Sequence, residues 1–103
     1  MKDLGNLQKM LKTAKEMQER LQKEMAEMRV EGTSGGGMVI VVLDGQKNLI
    51  SVRLDPEVVS RDDIDMLQDL IVAAVNDAAG KVDEQLAGKL GSLGGGLKIP
   101  GLS

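Results

Sequence analysis

The sequence predicts an α+β fold: a long N-terminal helix, a three-stranded antiparallel β-meander and a second long helix. Apolar residues recur at helical spacing over residues 6–28 and again over residues 62–90. Between these segments, short runs alternate apolar and polar residues on either side of one unbroken apolar run, a pattern typical of strands. The chain has 103 residues, enough for one domain with one modest core. We expect residues 1–90 to form that single domain and the Gly-rich residues 91–103 to form a flexible C-terminal tail.

The first helix carries an apolar seam whose members are spaced three and four residues apart, the 3.5-residue repeat of helices that pair. Gln18 is its one polar member, and such a residue either fixes the register of a helix pair or lies at an exposed edge. On the outer face, Glu16 precedes Arg20 and Glu19 precedes Lys23, the favourable i, i+4 order. A helix this long should project from so small a domain, so its seam needs a cover, and we expect a homodimer. The seam consists of Leu4, Leu7, Leu11, Ala14, Gln18, Leu21, Met25 and Met28.

The strands are predicted around the apolar run Met38–Leu43, which should be the central strand. Residues 28–31 and 50–54 alternate apolar and polar residues on either side of it, and Asp44 with Gly45 is a hairpin signal. Because the central run does not alternate, we expect both faces of the sheet to be covered, at least locally.

Three consecutive glycines, Gly35–Gly37, precede the central strand and could form either a phosphate-binding loop or a turn. A phosphate-binding loop leads into a helix and carries a Gly-Lys-Ser/Thr sequence, whereas these glycines lie between two strands. The sequence therefore favours a turn that needs positive φ angles.

The second helix is predicted to follow Ser60, an N-cap residue with an acid, Asp63, three positions later. Gly80 lies inside this helix and costs about 1 kcal/mol relative to Ala. Four acids at its start could bind Ca²⁺ or Mg²⁺, but their spacing does not match an EF-hand, and the helix dipole favours acids in a first turn. We therefore expect no metal site at these acids, which are Asp62, Asp63, Asp65 and Asp69.

The composition excludes several functions. With no Cys and no His, the chain lacks thiolate chemistry, the usual general base and the commonest zinc ligand, so we expect no catalysis, cofactor or small-molecule substrate. With no Phe, Trp or Tyr, it cannot stack bases as RNA-binding sheets do. No apolar run is long enough to span a bilayer and no export signal is visible, so we expect a cytoplasmic protein without a membrane partner. Four methionines could bind soft metals, but packing in a core or interface is the better interpretation of Met10, Met17, Met25 and Met28.

Charge is unevenly distributed along the chain. The net charge is −3, yet residues 1–15 carry four lysines against one acid, a net charge of +3, whereas residues 62–90 carry two lysines against seven acids, a net charge of −5. The N-terminal lysines either form a solvated helix face or, doubled in a dimer, contact two stretches of phosphate.

The chain resembles the YbaB/EbfC family of bacterial nucleoid-associated proteins. The resemblance is carried by "LGNLQKMLKTAKEMQERLQKEMAEMRVEGTSGGGMVIVVLDG" in the N-terminal half and by "VRLDPEVV" and "LQDLIVAAVNDA" after it. It covers the chain from about Leu4 to Leu90 and depends on the ordered set of these segments rather than on one motif. It implies a tweezers-shaped homodimer in the nucleoid that binds double-stranded DNA and affects its conformation and gene expression, without catalysis.

The resemblance also implies where DNA is contacted, because family members use the first helix and the C-terminal helical region. Where relatives can show a basic pair after "NDAA", this chain has Gly80 and Lys81, and its second helix is acidic, which moves the weight to the first helix. A protein-interaction module whose helical arms bind another protein is the alternative. The expected DNA contacts are Lys2, Lys9, Lys12, Lys15, Arg20 and Lys23 in the first helix and Lys81, Lys89 and Lys98 in the C-terminal region.

Overall fold

The structure is a computed structural model that describes residues 2–93. It confirms the predicted α+β fold and the predicted order of its elements. Those elements are helix α1 (Lys2–Glu27), strands β1 (Val30–Ser34), β2 (Val39–Leu43) and β3 (Leu49–Leu54), and helix α2 (Ile64–Leu93).

The three strands form an antiparallel sheet in the order β1-β2-β3, and α2 packs across β1 and β2 on one face. Gly32 in β1 makes this close packing possible, because a Cβ there would lie 2.4 Å from the carbonyl oxygen of Ala74 and from the amide nitrogen of Ala78. Without a side chain at Gly32, the helix backbone can lie directly on the strand. The buried core consists of Val30, Val39, Val41, Leu43, Val58, Ala74, Ala78 and Val82.

Two polar contacts hold α2 against β1. The amide of Thr33 donates to the carboxylate of Asp77 at 3.0 Å, and the hydroxyl of Ser34 donates to the carbonyl oxygen of Leu70. The hydrogen bond from Thr33, followed by the contact with Lys81, lowers the pKa of Asp77 from its usual 3.8. These contacts fix the position of α2 on the sheet.

The glycine triplet forms a turn, as predicted. Gly35, Gly36 and Gly37 have φ angles of 60°, 69° and 96°, a left-handed conformation that side chains rarely adopt, and they form one short 3-10 turn between β1 and β2. No helix follows the turn, since β2 begins at Val39.

Several boundaries differ from the predicted ones; strand β1, for example, runs from Val30 to Ser34 rather than over residues 28–31. Helix α1 begins at Lys2, four residues before the predicted start. Ser60 accepts a hydrogen bond from the amide of Asp62 and caps a short 3-10 turn, Arg61–Asp63, rather than α2 itself. Helix α2 continues through Gly80 to Leu93, three residues into the predicted tail. The rest of that tail lies outside the described residues, so the domain boundary stays a prediction.

Within one chain α2 covers only one face of the sheet, and there only β1 and β2, which differs from the expectation drawn from the central strand. In β2, Val39, Val41 and Leu43 are buried beneath α2, whereas Ile40 and Val42 are half-buried on the opposite face. Strand β3 is exposed at every position except its last, because α2 does not reach across it. The unalternated run in β2 therefore provides a second apolar surface that the chain leaves open.

Candidate nucleic-acid interface

Helix α1 is an arm that projects from the body of the molecule. Its side chains are exposed at every position from residue 4 to residue 24, and its 26 residues extend over about 39 Å at 1.5 Å per residue. The arm gives the molecule its elongated shape of 74 × 29 × 16 Å. This shape agrees with one half of the tweezers that the family resemblance implies.

The last turn of α1 fixes the arm to the body. The amide of Gly45 donates to the carbonyl oxygen of Met25 at 2.8 Å, and Met28 packs against the core. The guanidinium of Arg29 donates to the carbonyl oxygens of Ala26 at 2.9 Å and of Met28 at 2.8 Å, which satisfies acceptors that the helix end leaves free. The hairpin after β2 therefore sets the direction of the arm.

The shape of this hairpin depends on Asp44, a buried carboxylate. It accepts hydrogen bonds from the amides of Gln46 and Asn48 at 2.8 Å and 2.9 Å and from the side-chain amide of Asn48 at 3.0 Å. The side-chain hydrogen bond from Asn48 is the main cause that lowers the pKa of Asp44 below 3.8. Lys47, at φ 64°, then places its ammonium 2.9 Å from Asp83 in α2. The hairpin thus joins the base of the arm to the second helix.

The predicted DNA contacts on α1 form an exposed basic stripe. At about 100° per residue, Lys9, Lys12, Arg20 and Lys23 fall within about 80° of one another, on the face opposite the apolar seam, and Lys15 lies beside the seam. Among the described side chains, none of these five residues has a carboxylate within 4.0 Å. Their charges are therefore free to meet an anion.

The i, i+4 pairs expected on α1 do not form as ion pairs in the described part of the chain. Neither Glu16 with Arg20 nor Glu19 with Lys23 comes within 4.0 Å, and the two ion pairs present join other residues. An exposed pair gains little, because holding two long side chains in one geometry costs conformational entropy. The sequence order of these charges therefore did not predict a contact.

The remaining predicted contacts lie elsewhere. The ammonium of Lys81 is 3.0 Å from the carboxylate of Asp77, so its charge is already paired. Lys89 is exposed near the end of α2 and lines an apolar crevice. Lys2 begins α1, but its side chain is not among the described ones, and Lys98 lies outside the described residues. Of the C-terminal lysines within the described residues, Lys81 is paired with Asp77 and Lys89 lies at the crevice rather than in the arm's basic stripe.

From Leu4 to Leu21 the apolar seam of α1 is exposed, as the lysines of the arm are. Six large apolar side chains along the arm have exposed fractions between 42% and 68%: Leu4, Leu7, Met10, Leu11, Met17 and Leu21. At the base of the arm the seam becomes one wall of a crevice of about 120 Å³, whose other wall is Leu86 and Leu90 of α2. The sequence predicted both sets as apolar helix positions, but nothing in it indicated that they face each other.

Residues 2–93 contain neither a metal-binding cluster nor a membrane-spanning helix. No cluster of three or more acidic side chains in this range is arranged to hold a metal ion, and Asp62 and Asp63 lie in the 3-10 turn before α2. Neither of the two long helices of this range has an apolar stretch sufficient to cross a bilayer.

Comparison with known proteins gives the family. The model of the YbaB/EbfC DNA-binding family matches residues 1–97, and the chain belongs to this family. A protein of Caldanaerobacter subterraneus subsp. tengcongensis named as nucleoid-associated is 46% identical over 100 residues, covering 94% of this chain and 90% of the relative. A protein of Koribacter versatilis with the same description is 47% identical over 96 residues, covering 93% and 95%. The family that the sequence motifs indicated is therefore confirmed.

The fold is also found among solved structures. The crystal structure of an uncharacterized protein from Helicobacter pylori superposes with a TM-score of 0.70, covering 84% of this chain and 91% of that one. At 24% sequence identity this likeness supports the fold alone.

Proposed function

We propose that the protein binds double-stranded DNA as a homodimer, chiefly through phosphate contacts and with little sequence preference, and so contributes to nucleoid organisation and gene expression. The observation that carries the proposal is the stripe of unpaired basic residues on the projecting arm of a chain that belongs to a DNA-binding family. The names of the relatives support a location in the nucleoid, within the cytoplasm. We propose no catalytic step.

The arm suits a phosphate backbone better than a set of base edges. Lysine is a flexible point charge that approaches phosphates without fixing a base. At 3.4 Å per base pair, an arm of about 39 Å runs alongside about 11 base pairs, roughly one turn of the duplex. There is no aromatic wedge to insert between bases, although Leu or Met could do so. Each phosphate neutralised releases condensed counterions, so affinity should fall steeply as salt rises.

Binding to two unrelated duplexes across a salt series tests this proposal. We expect equal affinities for both duplexes and a linear fall of log K with log salt, whose slope is about −0.9 per phosphate contacted. The double variant Lys9→Gln with Lys12→Gln should weaken binding to both duplexes alike and make the slope shallower. Arg61→Gln is the control, because it removes one positive charge from an exposed residue outside the arm, in the 3-10 turn before α2, and the effects are compared per charge removed. No binding at low salt, or equal slopes for all variants, would refute phosphate reading by the arm.

We place the dimer interface at the open side of the sheet. Strand β3 is an edge strand with unpaired backbone groups, which proteins normally cover or charge. Val52 pairs with Val41, so it lies on the α2 face of the sheet and is 41% exposed beyond the edge of that helix, whereas Ile40 and Val42 line a shallow groove on the opposite face and are half-buried. Glu31 and Arg53 line the same shallow groove and bring opposite charges to it. A second copy can cover this surface and leave both arms free.

Sedimentation at micromolar concentration tests the dimer. We expect Ser51→Lys to shift the protein from dimer towards monomer, because Ser51 pairs with Val42 on the outer face and the change places a charge in the proposed interface. Val59→Lys is the control, since Val59 is 56% exposed and lies outside the sheet. A wild-type monomer, or equal behaviour of the two variants, would contradict this interface.

The second candidate is a protein-interaction module, which the exposed apolar seam of α1 favours. The two functions can be distinguished by which residues and conditions change the binding affinity. DNA binding should follow the lysines and the salt concentration, whereas binding of another protein should follow Leu7 and Leu11.

A further inference from the structure

The apolar seam on the arm is a surface that the chain itself does not cover. Leu4, Leu7 and Leu11 are 55%, 51% and 62% exposed, and the hydrogen bond that joins the helix to the body lies in its last turn. A contiguous apolar patch of this kind marks an interaction surface rather than part of a core. The regular spacing of the seam indicates that the partner is another helix.

The seam is symmetric about its own centre. When two copies of α1 lie antiparallel with their centres at Glu16, each seam residue faces another seam residue. The seam residues occupy heptad positions a and d in turn, starting with Leu4 at a and Leu7 at d. In this register each residue at position a meets a residue at position d of the other copy, as antiparallel pairing requires. The four layers are Leu4 with Met28, Leu7 with Met25, Leu11 with Leu21, and Ala14 with Gln18. The twofold axis repeats each of them, which is the self-complementarity of an isologous interface.

The crevice at the base of the arm adds residues of α2 to this packing. In the antiparallel register, Leu4 and Leu7 of the second copy reach Met28 and Met25. Those methionines form the crevice of about 120 Å³ together with Leu86 and Leu90 of α2. Leu90 is 63% exposed without such a contact. The tip of one arm would thus fill the crevice of the other.

Charge favours the same direction. Residues 2–15 have a net charge of +3, whereas residues 16–28 carry four acids against two bases, a net charge of −2. An antiparallel pair places the basic half of each arm beside the acidic half of the other, whereas a parallel pair places like charges together. The orientation that aligns the apolar layers therefore also brings opposite charges together.

The residues that flank the seam are consistent with weak pairing. Met17 would meet its own copy, which explains a methionine that is 64% exposed on the arm. Lys15 would also meet its own copy, which is repulsive, and the layer of Ala14 with Gln18 is small and polar. The interface should therefore form at high local concentration, as when several molecules occupy one DNA.

We propose that the arms of two copies pair antiparallel through this seam. The basic stripe lies on the opposite face of the helix, so paired arms keep their lysines free. Because the sheet surface is separate from the arms, a dimer formed at the sheet still carries two arms, and arm pairing would link dimers. This inference does not depend on DNA binding and can be tested without DNA.

Cysteine cross-linking tests the register directly, because the chain has no cysteine of its own. Ala14→Cys and Gln18→Cys proteins are mixed in a glutathione redox buffer without DNA. The antiparallel layer brings residues 14 and 18 of two copies together, so we expect the mixed disulfide. Ala14→Cys alone should not cross-link, since its own copy is displaced by four residues, about 6 Å along the axis. Cross-linking of Ala14→Cys alone would indicate a parallel pair and overturn the proposal, as would the absence of the mixed disulfide.

Sedimentation provides the second readout. We expect wild-type protein to form species larger than a dimer as its concentration rises, and Leu11→Glu to remove them. Thr13→Glu introduces the same charge on the same helix outside the seam and should keep the larger species. If Leu11→Glu instead yields monomers, the arms alone hold the dimer together. Arm pairing is then supported, and the dimer interface proposed at the sheet is refuted. If Leu11→Glu sediments as wild type does, arm pairing is refuted, and the seam is better explained as a binding surface for another protein.

Discussion

The substitution Gly45→Ala should tilt helix α1 relative to the body of the molecule. The Cβ of Gly45→Ala would lie 2.8 Å from the carbonyl oxygen of Met25 and 2.9 Å from its Cα. Ordinary contacts of a methyl group are about 3.4 Å or longer, so the base of α1 must move by about 0.6 Å. Met25 meets the new methyl with backbone atoms, which cannot be relieved by a change of rotamer. The hydrogen bond between Gly45 and Met25, worth about 1 kcal/mol, is weakened at the same time.

The length of the arm amplifies this small shift. A displacement of about 0.6 Å over one helical turn of about 5.4 Å tilts the helix by about 6°. Over an arm of about 39 Å the tip then moves by about 4 Å, which is comparable with the rise of about 3.4 Å per phosphate along the axis of the duplex. Lysines near the tip would lose their register with the phosphates while every lysine remains in the chain. We expect a severalfold loss of DNA affinity.

Pulsed electron resonance measures the tilt. Nitroxides at Asn6→Cys on the arm and Gln85→Cys on α2 report the angle between the two helices, and no native cysteine interferes. We expect the mean distance to change by about 3 Å in Gly45→Ala, because Asn6 lies about 28 Å from the pivot. Gly88→Ala, which adds a methyl group in open space, should leave both distance and affinity unchanged. An unaltered distance in Gly45→Ala would refute the idea that the hairpin sets the direction of the arm.

Four other changes test the fold. Gly32→Ala should lower the free energy of unfolding by about 3 kcal/mol, because its methyl meets the backbone of α2, whereas Gly80→Ala should raise it by about 1 kcal/mol; urea titration followed by circular dichroism measures both. Leu43→Ala should cost about 2–5 kcal/mol in the same titration through the cavity left in the core. The pKa of Asp77 is lowered in the folded state, so its carboxylate adds to the free energy of unfolding above the unfolded pKa near 3.8. This stabilisation is lost as the pH falls through the folded pKa. When the pH is lowered below about 4, the free energy of unfolding should therefore fall less in Asp77→Asn than in the wild type. An equal fall in both proteins would contradict the stabilising role of the hydrogen bond between Asp77 and Thr33.

The order and type of the elements could be predicted because local patterns determine them. The seam of α1, the alternation in β3 and the glycine turn each depend on residues close together in sequence. Burial of β2 beneath α2 also followed from its unbroken apolar composition, but the alternation between buried and half-buried residues did not. Ile40 and Val42 stay half-exposed because no element of the same chain reaches that side. An unbroken apolar strand indicates two covered faces without saying which molecule covers the second.

The candidate site was predictable as a set of charges but not as a geometry. Lys81 was expected to contact DNA, yet its ammonium is 3.0 Å from Asp77, a pairing that competes with any phosphate. The role of Gly45 was invisible because its contact with Met25 joins residues 20 positions apart. The same is true of the crevice between Met25 and Leu86, which requires the two helices to converge. Such features depend on tertiary contacts, for which the sequence has no periodic signal.

The leucines of the arm are better explained by association than by folding. A helix of 26 residues rich in Lys, Glu, Gln and Met exceeds the length of about 12–15 residues at which isolated helices are marginal, so local propensity can sustain it. Leu4, Leu7 and Leu11 add nothing to the core, and polar residues of equal propensity would keep the arm helical at less risk of aggregation. The seam should therefore meet a surface outside the chain. That surface must also leave the opposite face, with its unpaired lysines, open to phosphate.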